Sequence, residues 1–117
     1  GLIFPVRWHE PFGLAITESL YYGCPVFGTP YGSLPEIVTK ETGFLSKACA
    51  ALTQAVENAS GFSARHCHEY AAEKFNSRKM TEAYFAKYEK VLSGQKLNAT
   101  PPRLQQVQTE KFLEWIE

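Results

Sequence analysis

Apolar residues in the first half of the chain fall in three short runs: Leu2 to Phe4, Pro25 to Gly28 and Gly43 to Ser46. Runs this short and continuous fit buried parallel strands. Between them the spacing changes. Gly13 to Tyr22 carries Leu14, Ile16, Thr17, Leu20 and Tyr21, the body of a helix that Gly23 stops. Leu34 to Thr39 predicts a second, shorter helix, with Ser33 as its candidate cap and Pro35 and Glu36 suited to its first turn. Strand, helix, strand, helix, strand is the order of an open parallel sheet, so an α/β fold is expected.

The second half reads as helical. Lys47 to Ala59 sets Leu52, Ala55, Val56 and Ala59 on one side. Ser63 to Phe75 follows, with Ser63 as its cap. Ser77 to Leu92 places Met80, Tyr84, Tyr88 and Val91 on one face. Residues 94–102 are polar and end in Pro101-Pro102, the composition of a linker. Over residues 103–117, Leu104, Val107, Phe112, Trp115 and Ile116 recur at helical spacing. That predicts an amphipathic tail helix whose stripe docks on a missing domain or another chain.

Composition narrows the function classes. A chain of 117 residues holds one small domain, and 44% hydrophobic with 21% charged residues is ordinary for a globular protein. Twelve basic residues balance twelve acidic ones, so no nucleic-acid partner is expected. Every acid is Glu, which rules out a D-x-D pair within this segment. The separated carboxylates suit no hard cation, so the expected metal site is none. Cys24, Cys49 and Cys67 are odd in number and widely spaced, which points to a reducing, cytoplasmic compartment. No apolar run approaches the roughly 20 residues that span a bilayer, so no transmembrane segment is expected. The chain opens inside an apolar strand without Met, so a piece of a larger protein is expected.

Ligands of open parallel sheets sit beyond the carboxyl ends of the strands. Two loops leave those ends, Arg7 to Phe12 and Thr29 to Gly32. The first supplies Glu10 and runs into a helix start whose free amides, at Gly13, Leu14 and Ala15, suit an anion. Gly13 lets a ligand approach the backbone. One turn on, Glu18 interrupts an apolar helix, and a carboxylate there suits a ribose diol. From the residues alone a second reading stands beside this one: Glu10 as a loop acid bound to local amides, and Glu18 as a solvent-facing helix residue.

The order of motifs adds weight to the first. Glu10-Pro11-Phe12-Gly13-Leu14 with Glu18 forms E-P-F-G-L-x-x-x-E. Gly23-Cys24-Pro25-Val26, Gly32-Ser33-Leu34-Pro35-Glu36-Ile37-Val38 and Thr42-Gly43-Phe44-Leu45 follow, then Arg65, Phe75-Asn76-Ser77 and Tyr88-Glu89-Lys90-Val91-Leu92. This series resembles the carboxyl-terminal donor-binding domain of glycosyltransferase family 4, the group 1 transferases of GT-B fold, over most of residues 1–93.

The resemblance implies a partial Rossmann-like domain: a short parallel sheet flanked by helices, with further helices at the C-terminus. It implies transfer of a sugar from a UDP-, GDP- or ADP-sugar donor to an acceptor hydroxyl, with no cofactor and no bound metal. It gives Glu10 the transferred sugar, assigns backbone amides of Phe12, Gly13 and Leu14 to donor sugar and phosphate, and gives Glu18 the ribose. It also implies a missing amino-terminal domain that binds the acceptor, and upstream Arg and Lys residues against the diphosphate, so this segment alone is expected to be inactive. Ser33 departs from the usual Gly-Gly, and Tyr21-Tyr22 stands where small residues are common. Two alternatives stay open: a GT-B epimerase or phosphorylase, and a non-catalytic GT-B-like binding or interaction domain.

Other features carry less. His66-Cys67-His68 are adjacent, whereas helical metal ligands need spacings of three or four to share a face. Trp8 is expected to pack beneath its loop more than to stack on a ligand, and Asn98-Ala99-Thr100 is an incidental sequon.

Overall fold

The computed structural model describes residues 1–104, 107 and 109–117. Three strands, β1 (Leu2–Phe4), β2 (Val26–Gly28) and β3 (Gly43–Leu45), form a parallel sheet in the order β1-β2-β3. Helix α1 (Leu14–Tyr21) links β1 to β2, and the one-turn α2 (Leu34–Ile37) links β2 to β3. Three helices follow: α3 (Cys49–Glu57), α4 (Ala64–Lys74) and α5 (Ser77–Leu92), with a 3-10 turn at Ala59–Gly61 after α3. The expected α/β architecture, a short parallel sheet flanked by helices, is the one observed.

Register sets the core. Leu2 pairs with Val26 and Val26 with Gly43; Phe4 pairs with Gly28 and Gly28 with Leu45. Side chains two apart share a sheet face. This face packs on Ile16 and Leu20 of α1, Leu34 and Ile37 of α2, and Cys67 and Ala71 of α4. The opposite face carries the row Ile3, Phe27 and Phe44. Phe27 is buried there, edge-on to Phe62 at 5.6 Å between ring centroids, while Ile3 stays 61% exposed. Helix α3 thus covers the β2 and β3 end of this face and leaves β1 open.

Local chemistry explains the helix starts. Ser63 accepts a hydrogen bond from the His66 amide at 3.2 Å and caps α4 as expected. Asn76 does the same for α5 through the Lys79 amide at 2.9 Å. Ser33 differs from expectation, for its side chain makes no cap bond to α2 and is used elsewhere.

The second departure is larger. The described part of residues 103–117 forms no helix, and positions 105, 106 and 108 of the expected tail helix lie outside the described residues. The physical reason is that the tail's backbone finds partners in the loops after the strands. The Leu113 amide donates to the Arg7 carbonyl (2.9 Å), the Ile116 amide to the Lys47 carbonyl (2.9 Å), and the Cys49 amide to the Ile116 carbonyl (2.7 Å). Ile116 makes a parallel bridge with Ala48. Leu113 and Trp115 are half-buried, whereas Leu104 and Val107 of the expected stripe are exposed. The face of α5 read as apolar, with Tyr84, Tyr88 and Val91, is also exposed. No helix among the described residues is long and apolar enough to cross a membrane.

Leu20, fully buried between α1 and the sheet, tests this core. Leu20→Ala should cost about 2–5 kcal/mol in urea unfolding. Tyr22→Ala, at an 81% exposed position of the next turn, should stay within about 0.5 kcal/mol.

Candidate donor-binding site

The site begins where β1 ends. Val6 turns inward and is buried, and its carbonyl accepts the hydroxyl of buried Thr29 from the loop after β2. This bond ties the two strand-exit loops together at their base. Beyond it, Arg7 to Phe12 rises to the surface.

A second tie fixes Glu10. The Ser33 amide donates to the Glu10 carbonyl at 2.8 Å, and the Ser33 hydroxyl donates to the Phe12 carbonyl at 2.8 Å. Ser33 therefore staples both ends of the Glu10–Phe12 turn. Gly32 makes this possible. Its φ is +60°, and a Cβ there would overlap the Glu10 backbone nitrogen and oxygen. The Ser33 hydroxyl thus serves to hold the loop.

Gly13 carries φ +80° as the residue before α1, and a Cβ on it would meet the Ile16 side chain at 2.6 Å. With Gly13 in this left-handed conformation the chain enters α1 abruptly. The amides of Gly13, Leu14 and Ala15 have no protein acceptor among the described residues, and Leu14 is 68% exposed. Such amides, at the positive end of a helix, face solvent where an anion can reach them.

The glutamates are placed differently from one another. Glu10 is half-buried and lines an open depression with His9, Phe12, Ser33, Glu36 and Phe75. Glu18 is exposed, in a neighbouring depression with Thr17, Tyr21, Tyr22, Ala71 and Phe75. Phe75 borders both, and Phe12 meets it edge-on at 6.2 Å between centroids. The structure thus brings Glu10 and Phe12 into one depression, with Gly13 beside the Glu10 side chain, and sets Glu18 in another, across the Phe75 ring; Leu14 and Ala15 line neither. It does not place both carboxylates in one cavity.

Trp8 was expected beneath the loop. It is 50% exposed instead, and its indole Nε1 donates to Glu10 Oε2 at 3.1 Å. Sequence reasoning missed this contact; the two-residue separation from Glu10 was its one available signal. His9 lies edge-on to buried Tyr31, 6.3 Å between centroids. The three residues of His66-Cys67-His68 diverge. Cys67 is fully buried, with its thiol pKa pushed up by burial; His68 Nδ1 contacts the Tyr21 carbonyl, and His66 is exposed.

The Gly32–Glu10 contact can be tested directly. Gly32→Ala should destabilise the chain by about 1 kcal/mol or more. It should also speed hydrogen exchange at the Ser33 amide. Gly61→Ala, where an added Cβ meets nothing within 4 Å, should do neither. Equal effects of the two would remove the assigned role of Gly32.

Comparison with known proteins agrees with this architecture. The chain matches the family described as glycosyl transferases group 1 over residues 2–74, which include the whole sheet and helices α1 to α4. It is 31% identical over 94 residues to an uncharacterised 41.2 kDa protein in the cps region of Klebsiella pneumoniae. That alignment covers 74% of this chain and 26% of the relative, so the chain spans about a quarter of that protein's length. The strand-exit loop with its glutamate, the left-handed glycine and the open helix start all lie within the matched segment, and the chain belongs to the group 1 glycosyltransferases.

Proposed function

We propose that this chain supplies the donor side of a family 4 glycosyltransferase of GT-B fold, moving a sugar from a nucleotide-sugar to an acceptor hydroxyl. It is one part of a longer protein whose other part binds the acceptor. The observation that carries the proposal is the stapled Glu10 loop feeding an α1 start with unpaired amides. The three cysteines, all free, support work in a reducing compartment such as the cytoplasm.

The two depressions suggest how a donor lies. The sugar occupies the first, where Glu10 accepts hydrogen bonds from its hydroxyls. The diphosphate (UDP, GDP or ADP) passes over the amides of Gly13 and Leu14, with Phe12 beside it. The ribose reaches Glu18, four residues and about 6 Å along the helix axis. The ligand then bridges the Phe12–Phe75 ridge instead of filling one cleft. Amides already pointing at the leaving diphosphate stabilise its charge without reorganising, and the Glu10 carboxylate opposes positive charge on the sugar.

The two glutamates should separate kinetically in the longer protein. Glu18→Ala should weaken nucleoside diphosphate binding about tenfold, the loss of one charge-assisted interaction. Glu10→Ala should lower the transfer rate about 10²–10³-fold and leave nucleoside diphosphate affinity within about twofold. Isothermal calorimetry and a donor panel read out both. Full activity in both variants would sink the assignment.

A further inference from the structure

Among the described residues, both hydrogen bonds of Trp8 end on Glu10. The Trp8 carbonyl accepts the Glu10 amide at 3.1 Å, and the indole Nε1 donates to Glu10 Oε2 at 3.1 Å. Other residues of the same loop are held by other parts of the chain. Val6 is tied to Thr29 and Arg7 to Leu113, while His9 lies edge-on to Tyr31. The loop is thus anchored on both sides of Trp8, and the half-exposed indole is left to serve its neighbour.

These bonds make the two carboxylate oxygens of Glu10 unequal. The Glu10 amide is taken by Trp8, its carbonyl by the Ser33 amide at 2.8 Å, and Oε2 by the indole. Oε1 has no donor among the described residues. Glu10 lines the depression assigned to the sugar and Trp8 does not, so the indole reaches the carboxylate from outside that depression. The ring is therefore not placed to stack on a ligand there. An indole N–H is a donor only, so it occupies one carboxylate oxygen and leaves the acceptor capacity of the other intact. A glutamate side chain that a ligand must order gives up rotamer freedom at that moment; one already tied through Oε2 has given up part of it on folding.

We infer that Trp8 is a positioning residue: its indole holds Oε2 of Glu10 so that Oε1 is presented to a hydroxyl of the sugar in the depression. The inference rests on the proposed function for the ligand and for the role of Glu10. The contact between Trp8 and Glu10 does not, and it is tested separately.

Two measurements divide the contact from the role. In the 117-residue chain labelled with nitrogen-15, the indole N–H signals belong to Trp8 and Trp115, and Trp8→Phe assigns them. Glu10→Ala should shift the Trp8 signal and speed its exchange with water about fivefold, the loss of one hydrogen bond. It should leave the Trp115 signal in place, and Glu36→Ala, on the same depression, should leave both. In the longer protein, Trp8→Phe should lower kcat about fivefold and keep KM for the donor within about twofold. In a Glu10→Ala background it should cost nothing further, because the residue acts through Glu10. A Trp8 signal that ignores Glu10→Ala would overturn the contact and the inference with it. No loss in Trp8→Phe, a loss carried by KM alone, or a loss undiminished without Glu10 would overturn the positioning role and leave the proposed function standing. Full transfer by Glu10→Ala would remove the proposed site and the role of Trp8 together.

Discussion

The candidate site depends on the clasp between the loop after β2 and the loop after β1. The strands are only three residues long, so they cannot by themselves aim the nine-residue connection, residues 5–13, between β1 and α1. What aims it is the packing of Gly32 against the Glu10 backbone and the two Ser33 hydrogen bonds to the Glu10 and Phe12 carbonyls. The amides that follow, at Gly13 to Ala15, have no acceptor among the described residues, as the first turn of any helix without a side-chain cap leaves them. The parallel sheet contributes by bringing both loops to the same edge, which consecutive parallel strands with helical crossovers must do.

Much of this was legible in the sequence because it is local. Runs bounded by Pro or Gly located all three strands, and the predicted spans of β1 and α5 coincide with those observed. The Ser63 cap was legible because a cap bond spans three residues and involves one side-chain type. Ser33 stood at the same kind of position with Pro and Glu after it, yet its hydroxyl went to Phe12, 21 residues away. Local capping rules describe an isolated helix end. They lose when a nearby loop offers a carbonyl that needs a donor.

The same limit explains the placement of the glutamates and the tail. E-P-F-G-L-x-x-x-E has Glu10 before the helix and Glu18 within it, so their relative direction depends on the turn at Gly13, which spacing does not encode. The φ of +80° there rotates the helix so that Glu18 faces a second depression beyond Phe75. In the tail, apolar spacing marked Leu104, Val107, Phe112, Trp115 and Ile116. Spacing states which residues would share a face if a helix formed; it does not state whether another element competes for the backbone. Strand-exit loops with unpaired carbonyls at Arg7 and Lys47 do compete, and they win.

The competition has a consequence for how charge is distributed at the sheet's edge. With no Asp, and twelve Glu against twelve Lys and Arg, the chain has no excess of cations to spare for an anionic ligand. The Lys47 ammonium is held by Glu114, which raises its pKa through a hydrogen bond and the opposite charge. The loop amides that face solvent carry only partial charge. At the edge where β3 ends, the lysine charge is thus balanced by a carboxylate of the chain's own tail, so the neutrality of the whole chain is reproduced locally by pairing across 67 residues of sequence.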